Sequence, residues 1–379
     1  MNRTLDHPNN NGSFMETYVL ISKAVGWLTL GWCLFGLIGN TVSSLVFSSH
    51  RMKNPINTIL VGLCLCDNVV ILTALPLFLP PMLQLRSSIL RHFRVYCFVF
   101  VYPVCMTART ASVWTFVLIT VERFIAVCFP FRQKTVCTTR RAWGAIIFIS
   151  FISFAYNFVR FFEYTFTFDS NGHPKADFLL RLDSGYQLYY VTILYLLSHF
   201  LIPFVFLIVM NCYIIQTIRS MRKQRRQISR QDMREHHVTY MMVALILIFV
   251  LTNSLPYVLN ILEAVDESLF IDPARRSYKL VKILHVFSNA LVMLNSCTNC
   301  LIYYGFSQRY RQFVKTIFLC YSGSKDVAVS KIVEDQRNTL LGKPEPHRAK
   351  HQTVTKYDES DKRYSIEIVK PKLSASCYQ

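Results

Sequence analysis

Residues 120–130 read TVERFIAVCFP, an apolar run that suddenly carries an adjacent acid and base, Glu122 and Arg123, just before a proline. Charges in hydrocarbon are costly, so such a pair belongs near an aqueous end or inside a bundle, and it marks function. A bilayer span needs about 20 mainly apolar residues, and the block that ends here, 97–128, is long enough. Six further blocks qualify: 24–49, 56–81, 142–162, 186–218, 238–265 and 280–306. With 52% hydrophobic and 17% charged residues in 379, and a mean hydropathy of +0.30, the chain is too apolar to be covered by watery surfaces. The predicted fold is an all-α membrane protein, a seven-transmembrane helix bundle. Helices satisfy their own backbone in lipid, whereas a barrel would read as short alternating segments.

The net charge of +19 would suit nucleic acid, but the basic residues gather in alternate loops: Arg51 and Lys53; Arg132, Lys134, Arg140 and Arg141; then Arg219, Arg222, Lys223, Arg225, Arg226, Arg230 and Arg234. Basic loops stay cytoplasmic. The expectation is therefore a multi-pass plasma-membrane protein with an extracellular segment 1–23, a membrane domain 24–306 and a cytoplasmic tail, with no nucleic-acid partner and with anionic lipid as a secondary attraction. No apolar core precedes Ala24, so the first span is expected to serve as its own insertion signal. Asn2-Arg3-Thr4 and Asn11-Gly12-Ser13 match the glycosylation acceptor pattern. Of the 12 cysteines, most fall in spans or on the cytoplasmic side, where they are small apolar residues or stay reduced. None shows a convincing zinc spacing.

After the last span, FSQRYRQFVKTIFLC alternates basic and apolar residues at helical spacing, which predicts an amphipathic cytoplasmic helix over 307–320 lying on membrane lipid. Cys320 at its end is a candidate for S-palmitoylation. Residues 321–379 have little periodic apolar content and are expected to be disordered. Their Ser324, Ser330, Thr353, Thr355, Ser360 and Ser365 are phosphate-acceptor candidates for recruiting an adaptor such as arrestin.

Gly36, Gly39 and Asn40 suit close helix packing, and Asp67 places a carboxylate at lipid depth. Arg109, Ser112 and Glu122-Arg123-Phe124 follow in the third span, then Trp143, Pro203, Pro256 and residues 295–303, NSCTNCLIY. In this order and spacing the chain, from about Gly39 to Cys320, resembles the rhodopsin-like G-protein-coupled receptors, whose third helix ends in an Asp/Glu-Arg-aromatic triplet. Three positions depart from the family pattern. Cys300 stands where proline is usual, Ser254 where tryptophan is usual and Asn211 where tyrosine is usual. Two stretches, ERFIAVCFPFRQKTVCTTRRAW and Arg160-Phe161-Phe162-Glu163, are similar to invertebrate FMRFamide-type neuropeptide receptors.

The resemblance implies a receptor that reports an extracellular peptide to a heterotrimeric G protein. Asp67, Ser112, Asn295 and Asn299 match the positions that surround a sodium ion in the family. Carboxylate, hydroxyl and amide oxygens suit a hard cation, and the alternative is a hydrogen-bond network around a neutral Asp67. Arg123 would pair with Glu122 at rest and turn toward Tyr303, next to Asn299, on activation. The acid that often restrains this arginine from the sixth helix is replaced by Glu235, His236 and His237. Pro256 would kink that helix, with Phe249 a candidate for coupling in place of the missing tryptophan. Cys97 has no cysteine partner in 162–189, where the family usually supplies a disulfide. If the ligand ends in Arg-Phe-amide, Glu163 and Glu263 are candidates for its cation, while Asp266 and Glu267 read as solvated charges. Arg109 would repel the ligand arginine, and the phenylalanine amide would lie among Tyr102, Phe158 and Tyr257.

An opsin would need a lysine near Met293, and a transporter an internal repeat or broken helices. The sequence shows neither. It also pairs no nucleophile with a base in an outer cleft, so an enzyme is not expected. The remaining rival is a chemosensory receptor for a small environmental molecule.

Overall fold

The computed structural model describes residues 9–85, 87–168, 170, 174–224, 230–266, 269, 276–307, 310–315, 355–357 and 364–366. The chain divides into Met1–Val314 and Lys315–Gln379. Among the described residues of the first unit, seven helices are long and apolar enough to cross a membrane: Phe14–Ser48, Pro55–Met82, His92–Cys128, Thr139–Phe162, Tyr186–Met221, Ala244–Val265 and Ser277–Phe306. The first helix extends back to Asn9 and the third begins at Ser88, both earlier than expected. Hydropathy marks only the hydrocarbon slab, and a helix continues past it while its backbone bonds last.

Helix starts follow local chemistry. Asn54 caps the second helix through its side-chain oxygen, which accepts from the Asn57 amide at 2.8 Å, and Thr138 caps the fourth through Arg141 N at 3.3 Å; both satisfy amides that lack an intrahelical partner. The third helix is widened by a π turn at Cys97–Val101 and the fifth by π segments at Tyr186–Leu194 and Leu197–Leu201. Such turns shift the register of the side chains beyond them and often lie at functional sites.

The first and seventh helices touch almost backbone to backbone. A Cβ placed on Gly36 would come within 2.9 Å of Cys297 Cα, and one on Gly39 would overlap the Cys300 side chain. Here the small thiol of Cys300 fits against a glycine. Asn40 seals the contact by donating to the Ser296 carbonyl at 2.9 Å.

Between the fourth and fifth helices, strands β1 (Tyr164–Phe168) and β2 (Pro174–Phe178) form an antiparallel hairpin, with Tyr164 opposite Phe178 and Phe168 opposite Pro174. Its rings clasp the top of the third helix: Tyr96 to Phe166 at 5.0 Å, Phe98 to Tyr164 at 6.0 Å and Tyr102 to Tyr164 at 6.2 Å. Cys97 lies buried at the same level with a free thiol, so aromatic packing holds the hairpin where relatives of the predicted class use a disulfide. Along β2 Lys175 meets Asp177 at 2.6 Å, and its hydrogen bond holds that carboxyl below the usual range.

Past the seventh helix, residues 310–315 are helical, within the expected amphipathic segment. Tyr310 bonds Ser43 of the first helix at 2.7 Å, and burial pushes its hydroxyl up to about 12. In the second unit Thr355–Tyr357 pairs antiparallel with Tyr364–Ile366. Asn2, Cys320, Glu267, Ser324, Ser330, Thr353 and Ser360 lie outside the described residues, as do the side chains of Asn11, Glu235, His236 and His237.

Candidate functional site

Three sites can be built along the bundle axis. At the end of the bundle where the third helix finishes, Glu122 is buried and its Oε2 lies 3.3 Å from Arg123 Nε, with Arg123 21% exposed. The arginine is thus paired yet reachable from water. Just beyond it the short helix Pro130–Val136 leaves Phe131 96% exposed among basic residues. Tyr303 is buried, its ring edge-on to Phe47 at 5.3 Å and 6.2 Å from Tyr310, and its hydroxyl has no hydrogen-bond partner among the described residues. In this state Tyr303 therefore engages the first helix and the segment after the seventh. Phe249 is buried against Phe116, ring centroids 6.2 Å apart.

At mid-depth, Asp67 is wholly buried. Ser112 Oγ donates to its Oδ1 at 2.7 Å and Asn299 Nδ2 to its Oδ2 at 2.7 Å, so the second, third and seventh helices meet on one carboxylate. Asn295 Oδ1 accepts from Thr252 Oγ1 of the sixth helix at 3.1 Å. Ser112, Asn295 and Asn299 line a cavity of about 20 Å³ that is otherwise walled by Leu63, Val113, Phe116, Leu245 and Phe249. A water needs only about 10–15 Å³. Asp67 itself is not among the residues that line this cavity, but hydroxyl and amide oxygens next to a carboxylate are chemistry that suits a small hard cation.

The half of the bundle that carries the hairpin is built around an arginine that the sequence reading passed over. Arg160, 1% exposed, puts Nη1 2.9 Å from Glu163 Oε1. Its Nε donates to Asn157 Oδ1 at 3.0 Å and its Nη1 to the Tyr102 hydroxyl at 3.2 Å. The guanidinium lies over Tyr102, Tyr190 and Tyr195 at 5.9, 5.0 and 5.5 Å from the ring centroids. Tyr186 OH also donates to Glu163 Oε1 at 2.7 Å. The Arg160–Glu163 pair therefore ties the third, fourth and fifth helices together, the arginine reaching Tyr102 of the third and the carboxylate Tyr186 of the fifth. Glu163, expected as a candidate for a ligand's cation, is wholly buried and already holds a cation of its own chain. The network runs on through Asn157 to Thr110 at 2.8 Å and from Thr110 to His199 at 2.7 Å.

Phe158 also departs from expectation. It is half exposed among Phe154, Phe161 and Phe162, away from Tyr257. Tyr257 is buried, 5.6 Å from Tyr195 and 4.8 Å from Phe200 between ring centroids. Tyr102, Leu196 and Phe200 pack on the same cluster with Met106. Arg109, partly buried, reaches Asn253 Oδ1 at 3.1 Å through Nη2 and lies 5.8 Å from the centre of the Tyr195 ring. Glu263 is half-buried and forms no ion pair among the described residues. Asn253, Tyr195 and Tyr190 were missed by the sequence reading. The signal for Arg160 was present in its spacing of three from Glu163, which puts both on one helix face.

The family described as 7 transmembrane receptor (rhodopsin family) matches residues 39–303. An FMRFamide peptide receptor of Caenorhabditis elegans is 36% identical over 315 residues, 82% of this chain and 71% of the relative. The FMRFamide receptor of Drosophila melanogaster is 33% identical over 328 residues, 84% of this chain, and the chain spans 56% of that receptor's length. The sex peptide receptor of the same fly is 24% identical over 367 residues, 84% of this chain and 82% of the relative.

Proposed function

The chain belongs to the rhodopsin family of seven-transmembrane receptors, and on that premise we propose that it is a neuropeptide receptor for an agonist ending in Arg-Phe-amide. Likeness over more than four fifths of the chain to two receptors named for FMRFamide carries the peptide class. The aromatic cluster of the outer half supports it further, since it offers rings for a phenylalanine and, at Glu263, an acid that has no ion pair among the described residues. With Glu163 engaged by Arg160, the ligand arginine goes to Glu263.

On this reading the N-terminus is extracellular and the receptor sits in the plasma membrane, signalling to a heterotrimeric G protein. The reachable Glu122–Arg123 pair and the exposed Phe131 beside it form the coupling face, an apolar anchor in a basic rim. Asp67, Ser112, Asn295 and Asn299 hold a sodium ion that favours the resting packing, supplying a positive charge to Asp67. Screening amidated peptides on cells expressing the chain, with calcium and cyclic-AMP readouts, tests the proposal. A response confined to peptides ending in Arg-Phe-amide is expected, and silence to all of them with a response to small environmental molecules would overturn it.

A further inference from the structure

Arg109 lies deep in the outer half, and its surroundings are short of acceptors. Among the described residues the ion pairs are Glu122–Arg123, Arg160–Glu163 and Lys175–Asp177, so the Arg109 guanidinium has no carboxylate. Its one side-chain acceptor is Asn253 Oδ1 at 3.1 Å. Two phenols adjoin it, Tyr195 beneath the guanidinium and Tyr257 packed on Tyr195. Both are almost wholly buried, and among the described residues neither hydroxyl has a hydrogen-bond partner beyond the contact the two make with each other. Buried donors without acceptors are rare in native proteins and call for an explanation. A partly accessible cation beside two hydroxyls that have no partner but each other is a place for an oxygen-bearing group from outside the chain.

We infer that Arg109, Asn253, Tyr195 and Tyr257 form the seat for the ligand's C-terminal carboxamide, and that filling this seat loosens the sixth helix. Resting on the peptide reading above, this names the group recognised at its deep end. The polarity selects the carboxamide. Asn253 Oδ1 faces the same guanidinium, so an incoming group must offer a donor to that oxygen as well as an acceptor to Arg109. A primary carboxamide has both, whereas a carboxylate has only acceptors. The rings of Tyr102, Tyr195, Phe200 and Tyr257 would enclose the terminal phenylalanine.

The same atoms link ligand to helix. In the unliganded chain Arg109 of the third helix holds Asn253 of the sixth, three residues before Pro256. Asn253 Nδ2 donates to Thr252 Oγ1 at 3.2 Å, and Thr252 donates to Asn295 beside the central cavity at 3.1 Å. A carbonyl oxygen that takes Arg109 competes with Asn253 and weakens the bond that holds the sixth helix near its proline. A ligand shifts an equilibrium only through different affinities for the two states, and here the difference is this exchanged hydrogen bond.

The test compares Phe-Met-Arg-Phe-amide, its free acid and its citrulline analogue on wild-type, Arg109→Gln, Tyr257→Phe and Asn253→Ala receptors, each normalised to surface level by an N-terminal epitope. Wild type is expected to prefer amide to acid at least tenfold. That preference should fall tenfold or more in Arg109→Gln and severalfold in Tyr257→Phe, with the arginine-over-citrulline preference unchanged. Asn253→Ala should raise signalling without peptide. Should Arg109→Gln fail to reach the surface, Tyr257→Phe decides, since it removes a single hydroxyl. An amide preference that survives both substitutions overturns the seat while leaving the peptide reading intact; a wild-type receptor deaf to all three probes overturns both.

Discussion

Replacing Glu163 by glutamine should destabilise the receptor severely. The change keeps the side chain's shape and an oxygen for Tyr186, but it removes the charge facing Arg160 at 2.9 Å, where the two residues are 1% and 0% exposed. The guanidinium would keep Asn157, the Tyr102 hydroxyl and at best the neutral amide oxygen that it shares with Tyr186 as acceptors, with ring faces around it and no counter-charge. Breaking a buried pair by removing one partner costs about 3–5 kcal/mol, whereas an exposed pair is worth at most about 1 kcal/mol. At the sensitivity of a large chain, a few °C per kcal/mol, detergent-solubilised Glu163→Gln receptor should melt roughly 6–10 °C below wild type. A thiol-reactive dye reads this directly, because Cys33, Cys64, Cys97, Cys105, Cys297 and Cys300 are free and buried until the bundle opens. Arg160→Met combined with Glu163→Leu should recover most of the loss, as apolar replacements of buried pairs commonly do. Melting of Glu163→Gln within about 1 °C of wild type would show that water reaches the pair and that the pin is not closed.

Glu263→Gln should weaken an Arg-containing peptide tenfold or more and its citrulline analogue hardly at all in a binding assay, while Glu163→Gln should affect both alike. Arg123→Ala should abolish G-protein activation with peptide binding largely retained, because the residue lies at the cytoplasmic end; normal activation would remove it as the switch. Cys97→Ser should leave surface expression near wild type, since losing a disulfide typically costs about 2–5 kcal/mol and this thiol is free. Gly36→Ala should lower the melting temperature, because the new methyl meets Cys297 Cα within 2.9 Å and overpacking costs about 1–3 kcal/mol.

The seven helices were legible because lipid imposes a simple length rule, and Asp67 with Ser112 and Asn299 because matching positions on three spans converged on one carboxylate. The hairpin has a sequence signal as well, since Tyr164–Phe168 alternates ring and threonine at period two and Asn171-Gly172 follows as a turn signal, but a lone pair of short strands between two spans is a weak pattern beside the apolar blocks that flank it. Arg160 was hidden for a different reason. An arginine next to phenylalanines at a span end reads as snorkelling into the interface, and only the fold shows tyrosines of the third and fifth helices closing over it. Phe158 shows the converse limit: its neighbours Tyr156 and Asn157 face inward, but the fourth helix is thinly buried, and composition does not say which face of an apolar helix looks at lipid.

The two arginines of the outer half differ in what they leave undone, and that difference orients the proposed ligand. Arg160 is neutralised by Glu163, so this corner neither attracts nor repels a peptide cation strongly. Arg109 is not neutralised, and a ligand arginine brought near it would meet a like charge in a medium that screens poorly. The cation is therefore kept outward, toward Glu263, while the uncharged carboxamide goes inward to Arg109 and Asn253. From Asn253 to Glu263 the sixth helix rises about 15 Å at about 1.5 Å per residue. Two extended residues of Arg-Phe-amide cover about 7 Å of this, and the long side chains of the ligand arginine and Glu263 can bridge the remainder. Pro256 lies between these two contacts. A peptide that holds both at once grips the sixth helix on either side of its kink, so its binding depends on the kink angle, which is the condition for an agonist rather than a mere occupant.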